Sequence, residues 1–279
     1  MSVIDSHVHL WDPTRFRMPW LDDEATLNHP FGAAEFAQAS SGLDVESIVY
    51  VQVDATPAYG LLEARWAAAQ PRVGAVVAFA PMEDGEVVRT YLDELVKINP
   101  LIKGVRRLIQ SETDPGFTLQ PALHKALQLL PEYGLSFDIC IRHQQLANTV
   151  RMVRACPETS FILDHVAKPD IRSGLLDPWR QYMAELASLP NVVCKVSGMV
   201  TEADHANWSI NDLQPYVDHV LAVFGENRVL FGGDWPVATL ASSYRRWVES
   251  LEQLTQQLSA EAKEKLWRIN AKRIYRIND

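Results

Sequence analysis

Two histidines one residue apart, His7 and His9, stand in the segment Asp5-Ser6-His7-Val8-His9-Leu10-Trp11. Residues i and i+2 of a β-strand project to the same side, so in extended backbone the two imidazoles converge. A converging pair can ligate one divalent cation, hydrogen-bond one substrate oxygen, or simply cap the floor of a barrel. A second group is Phe231-Gly232-Gly233-Asp234-Trp235-Pro236, in which two glycines admit close backbone packing and the proline ends a strand. From there Asp234 can act as general base toward a water or bind a metal through one oxygen; a turn aspartate is the ordinary alternative. The third is Leu163-Asp164-His165-Val166-Ala167-Lys168-Pro169, where a histidine at a strand end can orient water or meet developing charge.

Such groups need a scaffold that gathers distant strand ends. Short β-rich runs alternate with helical patterns throughout: Ser2-Asp5, Glu46-Val53, Val73-Phe79, Ile102-Leu108, Ser136-Ile141, Ser160-Asp164, Asn191-Ser197 and Arg228-Gly232. Between them lie apolar residues at three-to-four spacing, as in Leu123-Ala126-Leu127-Leu130 and Leu213-Tyr216-Val217-Val220-Leu221-Phe224. Eight β runs with intervening helices predict an α/β fold, a (β/α)8 TIM barrel, filling residues 1–279 as a single domain. No glycine-rich phosphate turn follows the first strand, which argues against a dinucleotide-binding sheet. The loops after strand one (Trp11 to Pro30) and strand seven (Gly198 to Ser209) are long, as expected of a barrel's catalytic mouth.

A net charge of -9 disfavours nucleic acid and anionic membrane as partners. The chain has no apolar run of membrane-spanning length and no recognisable signal peptide, which predicts a cytoplasmic protein. Cys140, Cys156 and Cys194 are odd in number and lack a CxxC spacing, so they read as reduced, buried thiols. Oligomeric state is not readable from the sequence.

The motifs together resemble the amidohydrolase-related superfamily. More narrowly, the three segments above, with Lys103-Gly104-Val105-Arg106, Val193-Cys194-Lys195-Val196-Ser197-Gly198 and Thr201-Glu202-Ala203-Asp204, resemble its sugar-lactonase branch of L-fucono-, L-rhamnono- and 2-pyrone-4,6-dicarboxylate lactonases. The resemblance spans essentially the whole chain. It implies a His7 and His9 pair, a middle-strand His165 and a strand-eight Asp234. Binuclear members carry a bridging lysine or glutamate on strand four or five, whereas strand four here ends in Arg106-Arg107 and strand five in Arg142-His143. The expectation is therefore one divalent ion, zinc or manganese, on His7, His9 and Asp234, or no metal at all.

Catalysis is expected from Asp234, His165 and Arg106, the last matching the branch's strand-four arginine. Asp138, Cys140 and Arg142 share one face of strand five, and Lys195 and Ser197 one face of strand seven, so each set is a candidate lining of the mouth, with Asp138, Arg142 and Lys195 expected to contact substrate. Trp11 and Trp235, with Trp20, are candidate walls for a ring, and Glu202 a candidate partner for a sugar hydroxyl. The implied activity is hydrolysis of an aldonolactone to the open aldonic acid. The alternatives are a pyrone dicarboxylate lactonase, a metal-dependent decarboxylase, and a barrel that binds a ligand without chemistry.

Overall fold

The computed structural model describes residues 2–278. Eight strands, β1 (Ser2–Val8), β2 (Asp44–Val51), β3 (Val73–Phe79), β4 (Ile102–Arg106), β5 (Ser136–Ile139), β6 (Phe161–Leu163), β7 (Val192–Val196) and β8 (Val229–Phe231), lie parallel in chain order. β3, Val-Gly-Ala-Val-Val-Ala-Phe, is an almost unbroken apolar run because it is covered on both faces. The ring closes beyond β8, where Val8 pairs with Trp235, His9 N–H donates to Trp235 O at 2.7 Å and Asp234 N–H donates to His7 O at 2.8 Å. The expected (β/α)8 barrel is therefore the fold, with β4 to β8 each two residues shorter than the sequence pattern indicates and β1 three residues longer.

Helices α1 (Ala33–Ala39), α2 (Gly60–Ala68), α3 (Val88–Ile98), α4 (Pro121–Tyr133), α5 (Leu146–Ala155), α6 (Trp179–Ala187), α7 (Ile210–Phe224) and α8 (Tyr244–Leu254) follow their strands in turn. In α3 the buried positions are Val88, Leu92 and Leu95, one stripe at helical spacing that faces the sheet. Pro121 opens α4, where its missing N–H is not needed, and Gly134 at φ 64° closes it. Ser243 caps α8 by accepting from Arg246 N–H. No helix among the described residues is long and apolar enough to cross a membrane.

The chain's last turns, α9 (Ala260–Glu264), a π-helical turn (Lys265–Ile269) and α10 (Asn270–Ile274), close the end of the barrel opposite the mouth. Asn270 Nδ2 donates to Val229 O at 2.8 Å, and the buried Tyr275 hydroxyl reaches inside to donate to Asp138 Oδ2 at 2.8 Å.

One irregularity in β1 matters for everything above it. Ile4 packs inside the barrel with Val49, Val51, Ala75 and Val77, and strict alternation would send Ser6 and Val8 inward after it. The register against β2 shifts between Asp5 and Val8, and Val8 packs instead in the outer layer between strands and helices. The shift turns His7 and His9 into the barrel, which is what a bulge at a barrel rim does to a side chain. Asp5 holds it: Oδ1 accepts from His7 N–H at 3.0 Å and Gly233 N–H at 2.8 Å, and Oδ2 accepts from the Tyr244 hydroxyl at 2.8 Å.

Glu63 of α2 does similar work behind β2, its Oε1 accepting from the Tyr50 hydroxyl and Val53 N–H, both at 2.9 Å. Burial pushes its carboxyl up from 4.5 to about 7. A carboxyl whose pKa is raised on folding destabilises the fold progressively as pH climbs from its unfolded value to its folded one, and no further above that. Glu63→Gln keeps an oxygen for both donors and removes the ionisation. Its stability relative to the parent is expected to rise by on the order of 3 kcal/mol between pH 4.5 and 7 and then stay level. Urea unfolding midpoints across that range test this, and parallel curves for the two proteins would contradict it.

Candidate active site

The bulge delivers two imidazoles whose outer nitrogens are already committed. His9 Nδ1 donates to Val51 O at 2.7 Å, and His7 Nδ1 lies 3.2 Å from Asp164 Oδ1. Each ring thereby turns its Nε2 inward, and the two Nε2 atoms are 3.2 Å apart. Asp234 joins them because Gly233 lets the chain pass: a Cβ there would sit 2.4 Å from Asp5 Oδ2 and 2.5 Å from the Tyr244 ring. Asp234 itself is at φ 52°, and its Oδ1 lies 3.6 Å from His9 Nε2, 3.8 Å from His7 Nε2 and 3.9 Å from His165 Nε2.

His165 arrives by an unusual route. After β6 the chain makes a left-handed turn at four successive residues, His165, Val166, Ala167 and Lys168, with φ of 54°, 47°, 62° and 48°. Non-glycine residues resist this conformation by about 1–2 kcal/mol each. The turn is held by Lys168 N–H donating to His165 O at 2.8 Å and by Trp179 Nε1 donating to Val166 O at 2.8 Å. His165 Nδ1 is 2.9 Å from the Ser197 hydroxyl at the end of β7, which fixes the ring.

Below lies a buried layer of charge. Lys195 Nζ is 2.6 Å from Asp138 Oδ2, 3.1 Å from Asp164 Oδ1 and 3.2 Å from His7 Nδ1. Arg106 Nη1 donates to Asp164 Oδ2 at 3.2 Å and its Nη2 to Gln52 O at 2.6 Å. Burial pushes the imidazoles down, His7 well below 6.5 and His165 to about 4, so they are neutral near pH 7. Burial alone would raise the Asp234 carboxyl, but the surrounding imidazoles outweigh it and hold Asp234 below the usual carboxylate range. The mouth thus combines neutral imidazoles with an ionised carboxylate.

That donor set fits a divalent cation. Separations of 3.2, 3.6 and 3.8 Å between His7 Nε2, His9 Nε2 and Asp234 Oδ1 lie within about 0.5 Å of the edge, about 3.3–3.4 Å, of a tetrahedron with bonds of about 2.0–2.1 Å. Two ring nitrogens 3.2 Å apart, beside a carboxylate whose ionic partners among the described residues are imidazoles, offer a cation two neutral donors and one anionic donor, with Arg106 Nη1 3.4 Å from His7 Nε2. A second group, His7, Asp164 and His165, is also close enough to hold an ion. There, however, the Lys195 ammonium already stands beside both Asp164 and His7.

Residues 4–277 match the amidohydrolase family. The chain belongs to that family. Its relatives include L-fucono-1,5-lactonases of Burkholderia ambifaria, 29% identical over 280 residues covering 99% of this chain and 96% of that one, and of Burkholderia multivorans, 29% identical over 304 residues covering 98% and 95%. A crystal structure of an amidohydrolase from Burkholderia multivorans with bound zinc is 27% identical, covers all of both chains and superposes with a TM-score of 0.91. This amidohydrolase is a hydrolytic enzyme.

The amidohydrolase site opens into a pocket of about 240 Å³ whose lining includes His9, Asp234, His165 and Arg106, all singled out in the sequence. Trp11 and Trp20 form one wall, edge to face with centroids 5.4 Å apart. The sequence expectation that Asp138 and Lys195 contact substrate is corrected: both are fully buried beneath the pocket, paired to each other and to Asp164. Trp235 is likewise behind the site, packed on Phe31 and Phe36, while its backbone closes the barrel. Arg142 and Glu202 stand outside the lining, 3.8 Å from each other. His143 donates to Lys168 O at 3.0 Å, and His205 bonds Thr201 O at 3.0 Å.

Sequence reasoning assigned no role to Asp164, Lys168, Asp54, Gln110 or Ser111, of which the last four line the pocket. Asp164 and Lys168 lie within the motif around His165, and that adjacency was the available signal.

Gly198 tests the site's tolerance. It is at φ 57°, and a Cβ there would lie 2.6 Å from His165 Nδ1 and 2.7 Å from Asp234 Oδ2. Gly198→Ala is expected to fold, with about 1 kcal/mol lost to the left-handed backbone. Displacing His165 and Asp234 should cost roughly 10–100-fold in kcat. Kinetics beside thermal melting check this; parent-level turnover would show that the two side chains need no such fine placement.

Proposed function

We propose that this amidohydrolase opens a sugar-derived lactone, of the L-fucono-1,5-lactone kind, to the aldonic acid. The carrying observation is the convergence of His7, His9 and His165 on the ionised Asp234 at the mouth of a small pocket. Relatives named L-fucono-1,5-lactonase support the reaction class.

Asp234 takes a proton from water as the water oxygen attacks the lactone carbonyl carbon. The tetrahedral intermediate then collapses, the ring carbon–oxygen bond breaks, and Asp234 returns the proton to the departing ring oxygen. Neutral His165, fixed by Ser197, orients the water, and buried Arg106 keeps Asp164 in place behind His7. A divalent cation, zinc or manganese, held by His7, His9 and Asp234 would supply Lewis-acid stabilisation of the oxygen charge.

A volume of about 240 Å³ is below the range of about 300–1,000 Å³ usual for drug-sized ligands and suits a single ring. Tryptophan walls with Asp54, Gln110 and Ser111 suit a neutral polyol. Carboxylates at Asp54 and Asp234 disfavour a doubly charged pyrone. Three unpaired, buried cysteines suit a reducing compartment, the cytoplasm.

The test is a pH-indicator screen of L- and D-aldonolactones with and without chelator. Opening of at least one sugar lactone is expected. Carbon dioxide release from an aromatic acid, with no lactone opened, would overturn the reading.

A further inference from the structure

The sequence motif around His165 contains a lysine for which the mechanism above has no use. Lys168 is three residues on, and the left-handed turn brings both side chains to the lining of one pocket. Extended backbone would have carried them apart. Strain of this kind, borne by a buried β-branched Val166 and a buried Ala167, persists where the surrounding structure enforces it, and it clusters at sites of function. The enforcement is visible on both sides: Trp179 Nε1 donates to Val166 O, and His143 Nδ1 donates to Lys168 O at 3.0 Å.

The pocket's two cations differ in what they have left to give. Arg106 has its Nη1 on Asp164 Oδ2 and 3.4 Å from His7 Nε2, its Nη2 on Gln52 O, and its one unpartnered donor, Nε, is buried out of reach of solvent. Lys168 is 13% exposed at its side chain and makes one ion pair, 3.4 Å to Glu202 Oε1, with no side-chain hydrogen bond among the described residues. An ammonium carries three donors, so Lys168 keeps donors free for a substrate oxygen.

We propose that Lys168 is a further catalytic residue, whose ammonium hydrogen-bonds the lactone carbonyl oxygen as negative charge grows there. Arg106, expected from the sequence to be catalytic, is left to hold Asp164. The inference rests on the lactonase reading. Water oxygen bonds to the carbonyl carbon, the carbonyl π electrons move onto oxygen opposite Lys168, and they return as the ring carbon–oxygen bond breaks. Lys168 stays protonated throughout, and Asp234 alone carries the proton from water to the ring oxygen.

The experiment compares the parent, Lys168→Met and Lys168→Arg on the lactone found by the screen, with circular dichroism as a check of folding. Loss of a preorganised charged donor should lower kcat of Lys168→Met by about 10²–10³-fold while KM changes little. Lys168→Arg, which keeps the charge, should recover to within about tenfold of the parent. Short alkylammonium ions should restore part of the activity of Lys168→Ala, which a merely structural lysine would not allow. If Lys168→Met fails to fold, Lys168→Gln is read in its place. Parent-level kcat in the neutral variant, or a loss confined to KM, overturns the proposal while leaving the lactonase reading intact. A parent that opens no lactone and binds no aldonate by calorimetry overturns both.

Discussion

Asp234→Asn is expected to lower kcat for lactone opening by about 10³-fold, with little change in the fold. Asparagine is nearly the same shape and tolerates positive φ better than most residues, so the backbone at φ 52° should not object. The hydrogen bond from residue 234 N–H to His7 O, which helps close the barrel, is untouched. What disappears is the charge on which three neutral imidazoles converge, and with it the carboxylate assigned to accept the proton from water. The same change removes one of three candidate ligands, so a metal assay should show weaker retention of zinc alongside the lost turnover. Turnover at the parent rate in a folded, well-behaved Asp234→Asn protein would mean that the base lies elsewhere.

The repeating βα pattern was legible because both periods are strong here: near-continuous apolar strands such as β3 and single-stripe helices such as α3. The His7 and His9 pair was legible too, since i and i+2 share a face wherever the local backbone is extended. That this face is the inner one depended on the register shift after Asp5, and counting forward from Ile4 gives the opposite answer. Period-two reasoning was also blind to height. It placed Asp138 and Cys140 together, and Lys195 and Ser197 together, yet in each pair the earlier residue is sunk in the barrel. The later ones reach the site, Cys140 on the pocket lining and Ser197 beside His165. Lys168 was hidden for a different reason: no propensity scale predicts four left-handed residues without a glycine among them.

The buried pairs under the site carry the largest expected effect on stability. Lys195→Met leaves Asp138 with the Tyr275 hydroxyl alone, and Asp164 with His7 and Arg106, in a layer that water does not reach. Removing one partner from a buried ion pair typically costs about 3–5 kcal/mol, because the remaining charge is left in low dielectric. In a chain of this size that corresponds to a fall of roughly 10 °C in Tm. If the loss comes from the stranded carboxylate, Lys195→Met combined with Asp138→Asn should recover a good part of it, since the double variant leaves one fewer unpaired charge. The exposed pair of Lys125 and Glu86, 3.4 Å apart on the surface, is the control, and Lys125→Met should leave Tm essentially where it was. A Lys195→Met protein as stable as the parent would show that the carboxylates simply take up protons when the ammonium is gone. The Lys195 charge would then matter for holding Asp164 against His7 and not for holding the barrel together, and its absence should be felt in metal affinity in place of the melt.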